Sequence, residues 1–178
     1  MFRLLLFAFS LLTVVSGYSQ SYLGTVTSQV NFRQGPGTDF TIISSLKQGT
    51  QIFIVSLDLE NNFYNILDIS SNKEGYVHKD YVKIGKQVEQ NDPGMFTPNG
   101  SSATTNPELE IFNNTTLHLT LKLNNTVYTF APKEKKTITL NPGTYAYRAS
   151  APGVMPNIGT EYMAGNTAYS WQFYIVSE

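Results

Sequence analysis

The chain has 178 residues, room for one domain or two small ones, with 12 basic residues against 13 acidic and a formal net charge of −1. That balance excludes the concentrated basic surface on which nucleic-acid binding depends, so no nucleic-acid partner is expected. Cysteine is absent, which excludes disulfides, thiolate metal sites, a cysteine nucleophile and lipid attachment at a cysteine.

The chain opens on a basic Arg3, an apolar run from Leu4 to Val15, then small and polar residues. About a dozen apolar residues fall short of the roughly 20 that span a bilayer. Residues 1–20 therefore read as a cleaved secretory signal, with cleavage between Ser19 and Ser21. After cleavage no membrane span is expected. Short alternating runs punctuated by Gly, Pro and Asn follow, the pattern of small all-β domains. Residues 21–86 predict a first module: a strand near Tyr22–Thr27, then "VNFR", the bend "QGPG", "TIISSL", "QIFIVSLDL", "FYNILDIS" and "YVHKDYVKI". About five strands joined by tight turns suggest a small barrel. Residues 87–107 hold three prolines, two glycines and many Ser, Thr and Asn residues, and predict a linker. Residues 108–178 predict six strands with hairpin turns at "LNN", "PKEK" and "LNPGTY", which fit a small antiparallel β-sandwich. Each module is small for an independent core, so docking between them is expected.

The order "VNFRQGPGTDFTIISSLKQGTQIFIV", "FYNIL" and "GYVHKDYVKI" resembles the bacterial SH3 (SH3b) family over about 65 residues. The resemblance implies an SH3-like small barrel. One position departs from the pattern: the aromatic usually filled by Trp is Phe63. The C-terminal run, with "PGTYAYRASAPGV" and "YSWQFYI", is similar to an uncharacterised small all-β module of bacterial extracytoplasmic proteins. That likeness implies a location and a fold but no chemistry.

Catalytic signals are sparse. His118 falls on the polar face of "LHLTLKL", opposite the leucines, with no ligand at metal spacing. No Gly-x-Ser-x-Gly elbow, His-Glu-x-x-His helix or phosphate loop occurs. No enzyme activity, metal or cofactor is expected. Aromatics offer more. Tyr169, Trp171 and Phe173 share one strand face, as do Tyr145 and Tyr147; core filling is favoured there over a sugar platform. In the first module Phe40, Phe63, Tyr64, Tyr76 and Tyr81 are candidates to line a groove beneath the loop that "QGPG" begins. Asn31, Arg33 and His78 are its candidate polar contacts. For Arg33 a role in binding loop carbonyls is favoured over ligand contact.

SH3b modules commonly accompany enzymes that cut or bind peptidoglycan. The resemblance therefore implies a non-catalytic, periplasmic or secreted cell-envelope protein whose groove takes a peptidoglycan peptide or another short peptide. The alternatives are a structural or assembly partner of another envelope protein, and an accessory to a cell-wall hydrolase.

Overall fold

A computed structural model describes residues 20–91 and 94–175. The predicted signal segment lies outside the described residues, apart from Gln20. Among the described residues no helix is long and apolar enough to cross a membrane. The described residues are all-β, an SH3-like barrel followed by a β-sandwich.

Seven strands build the first module: β1 (Tyr22–Val26), β2 (Val30–Arg33), β3 (Ile42–Leu46), β4 (Gln51–Glu60), β5 (Phe63–Asp68), β6 (Lys73–His78) and β7 (Val82–Gln87). They form one sheet in the order β3-β2-β6-β5-β4-β1-β7. Two more strands occur than the sequence pattern suggested. The run "SNKEG" is only half turn, because β6 begins at Lys73, and a 3-10 turn at Lys79–Tyr81 divides "YVHKDYVKI" in two. The sheet curls so that Val26, Phe32, Leu46, Ile52, Ile54, Ile66 and Val77, from six strands, meet in one core. In β4 Ile52, Phe53 and Ile54 are all buried, so this strand is covered on both faces.

The second module has two four-stranded sheets. One has the order β11-β10-β13-β14, from β10 (Leu119–Leu123), β11 (Thr126–Phe130), β13 (Gly143–Ser150) and β14 (Asn157–Met163). The other has the order β12-β9-β15-β8, from β8 (Thr97–Ser101), β9 (Glu108–Asn113), β12 (Lys135–Thr139) and β15 (Thr167–Phe173). All neighbours are antiparallel except β15 and β9, which run parallel. Leu109, Ile111, Leu119, Leu121, Leu123 and Phe130 fill the space between the sheets. Tyr147, Tyr169 and Phe173 are buried in that core, and Trp171 packs against it. These rings are core, as their alternation suggested.

The segment 87–107 differs from the expected linker. Strand β8 lies within it and pairs with β15, and Phe96 is 2% exposed in the sandwich core. The buried Glu161 carboxylate accepts the backbone N–H groups of Gly94 and Met95 at 2.6 and 2.5 Å. Composition missed this because β8 is an exposed edge whose residues carry no apolar alternation; one ring and one carboxylate hold it. Glu161→Ala is expected to remove about 2 kcal/mol of stability, the scale of charge-assisted hydrogen bonds. It should also raise the rate at which a protease cuts near Met95, read by limited digestion and mass spectrometry.

The modules dock through the β5–β6 hairpin. Its tip, Ile69–Asn72, is shaped by Asp68, whose carboxylate accepts from Ser70 N, Ser70 Oγ and Ser71 Oγ. The tip lies on the outer face of the β10–β13 pair. Asn72 Nδ2 donates to Thr120 Oγ1 at 3.1 Å, and Gly153 N donates to Ile69 O at 2.8 Å. Beside it Glu74 bridges Arg148 and Lys122, which are register partners on β13 and β10. Phe53 and Leu67, on the outside of the barrel, are closed over by Ile158 of β14.

Burial pushes the Glu74 carboxyl up, but the charge and hydrogen bond of Arg148, then Lys122, outweigh it and leave it below the usual value of 4.5. A carboxyl lowered on folding contributes stability that is complete above its unfolded value and is lost as pH falls through its folded value. The wild type is therefore expected to lose more stability below about pH 4.5 than Glu74→Gln does. Parallel denaturant titrations of the two proteins from pH 7 to 3 check this, and equal slopes would remove Glu74 from the account.

Candidate groove on the barrel

Strand β2 buries Phe32 and turns Asn31 and Arg33 outward. The chain then reverses through Gly35-Pro36-Gly37. The Phe40 ring lies over this bend: a Cβ on Gly35 would sit 2.2 Å from it, so glycine is required by the close approach. The loop is closed by three bonds. Gln34 N donates to Thr41 O at 2.9 Å, Arg33 Nη1 to Phe40 O at 2.8 Å, and Asn61 Nδ2 to Pro36 O at 3.2 Å. Arg33 thus fixes the loop, the role favoured for it from sequence.

Below the loop is a concave site of about 540 Å³. Asn31 and Arg33 of β2 form one wall with Ser45 of β3, the register partner of Asn31. Phe63 of β5, His78 of β6 and Tyr81 of the 3-10 turn form the other. Phe63 and His78 are cross-strand partners, with ring centroids 5.1 Å apart and planes at 89°. His78 and Tyr81 follow at 6.2 Å and 72°. Edge-to-face contacts of this kind hold three rings as one surface. Phe63 is buried, while Tyr81 is 39% exposed. His78 Nδ1 lies 3.4 Å from the Asp80 backbone nitrogen and 3.6 Å from the Asp80 carboxylate.

Of the eight residues proposed from sequence, the structure brings five to this site: Asn31, Arg33, Phe63, His78 and Tyr81. The other three lie elsewhere. Phe40 covers the glycine bend. Tyr64 points to the other side of β5 from Phe63 and packs on the barrel core. Tyr76 sits between Arg33 and Asn65 in the sheet; burial, then the Glu60 carboxylate, holds its hydroxyl above the usual phenol range. Sequence reading missed Gln29, Val30, Thr38, Ser45 and Asp80, which complete the lining. Only the register Asn31↔Ser45 would have found Ser45.

A small curled β-sheet with a ring-lined groove under the loop after its second strand has the architecture of an SH3-like barrel. Residues 28–83 match the family model of the bacterial SH3 domain, and the barrel carries a domain of that family. Two solved structures are similar at low level. One is the structure of NlpC2 from Trichomonas vaginalis, at 14% identity and a TM-score of 0.32, covering 88% of this chain and 50% of that one. The other is NlpC1 from the same organism, at 17% identity and a TM-score of 0.32, covering 84% and 45%. The chain thus spans about half the length of each. No curated protein matches the chain.

Proposed function

We propose that this protein is a non-catalytic binding protein of the bacterial cell envelope, acting in the periplasm or outside the cell. Its barrel holds a short peptide, of peptidoglycan or of another envelope component, in the groove. The observation that carries this reading is the ring surface Phe63–His78–Tyr81 facing Asn31 and Arg33 within a segment that matches the bacterial SH3 domain. Rings take up apolar peptide surface, and the amide and guanidinium fix its polar backbone and charged ends.

Cosedimentation of the protein with purified peptidoglycan, at low and moderate salt, is the test. Pelleting that depends on the groove residues supports the reading. Protein that stays in the supernatant with peptidoglycan and with released wall peptides overturns it.

A further inference from the structure

A second cavity, of about 280 Å³, lies between the barrel and the sandwich. Its floor is apolar, from Phe53 and Val55 of β4 and Ile158 of β14. The charged residues that line it are Lys122 and Arg148, both cationic. Glu74 pairs with both from the hairpin but does not line the cavity. Two cations against one carboxylate leave an excess positive charge at a partly exposed boundary. Arg148 is nine-tenths buried, and Glu74 engages its Nη2. Its Nε is buried with no hydrogen-bond partner among the described residues.

We propose that this interdomain cavity is a binding site for a small ligand with one carboxylate and a short apolar body, such as an acylated amino acid or the free C-terminal end of a short peptide. The carboxylate is chosen by charge and shape. One excess positive charge is balanced by a singly charged anion, whereas a phosphate monoester carries about −1.5 to −2 at neutral pH. A guanidinium offers a planar fork that suits a carboxylate. The Phe53–Ile158 floor receives the apolar part, and the volume, at the small end of ligand cavities, admits one or two residues. The site is separate from the barrel groove and stands or falls independently of it.

The test is a titration of the full protein with N-acetylalanine and its uncharged counterpart N-acetylalaninamide, followed by amide NMR shifts of Ala146 and Thr160. N-acetylalanine is expected to saturate, and the amide to bind at least about tenfold more weakly. Ala146→Leu, which fills the cavity beside Arg148 on β13, should abolish the shifts. Lys122→Gln leaves the Arg148–Glu74 pair in place and should weaken binding about threefold or more; it serves if Ala146→Leu does not fold. Tyr81→Ala, in the other groove, should bind N-acetylalanine as the wild type does. Equal binding of acid and amide, no saturation below about 50 mM, inorganic phosphate competing as well as N-acetylalanine, or indifference to both cavity variants would overturn the proposal.

Discussion

Gly75→Ala is expected to cost the barrel about 3 kcal/mol and to lower its melting temperature by roughly 10 °C or more. Gly75 lies in β6 and faces the core. A Cβ there would stand 2.4 Å from the Arg33 carbonyl oxygen and 2.7 Å from the side chains of both Ile43 and Phe32. The first of these is backbone, and β2 meets β6 only through the pair Arg33↔Tyr76, so the methyl must push that junction apart. Phe32 is fully buried and has no room to yield. Arg33 also ties the loop over the groove, so the same variant should lose peptidoglycan binding even at temperatures where it is folded. Thermal unfolding followed by circular dichroism checks the first effect, and a melt within about 2 °C of wild type would refute it.

Tyr81→Ala is expected to reduce retention on peptidoglycan about tenfold or more, while Tyr76→Ala retains it. Tyr81 ends the ring series in the groove and is 39% exposed, so truncation removes ligand surface and little core. Aromatic anchors at such sites commonly carry a large share of the binding energy. Tyr76 is two residues from His78 on the same face of β6, yet it does not line the groove. Binding isotherms of the two variants separate the cases. Loss with Tyr76→Ala and not with Tyr81→Ala would move the ligand along β6 toward Glu60.

These two tyrosines also show what the sequence carries and what it lacks. Alternation in "VNFR" identifies Phe32 as core and Arg33 as outward, and the glycine pair around Pro36 announces the loop. Residues spaced by two share a face, which groups Tyr76 with His78. Which part of that face lies under the loop depends on cross-strand register, here Phe63↔His78, and register is not written in either strand alone. The same reason hid Ser45, which reaches the groove only because β3 pairs opposite Asn31. Strand β8 was illegible for another cause: its residues are all exposed, and edge pairing leaves no apolar period to read. The docking face was half visible. "QIFIV" has no polar alternation because both faces of β4 are covered, but nothing local in the sequence names Ile158 as the cover.

The position of β15 sets an order of assembly. The barrel's seven strands lie within residues 22–87, so a chain delivered from its N-terminal end has them all early. The sheet β12-β9-β15-β8 has its inner place vacant until residues 167–173 arrive, because β8 and β9 meet only through β15. Strand pairing over some 60 residues of separation is slow to form. Meanwhile Phe53 and Leu67 wait for Ile158; at ordinary synthesis speeds that interval is on the order of ten seconds. During it the apolar outer face of the barrel at Phe53 and Leu67 stays uncovered, a surface prone to association.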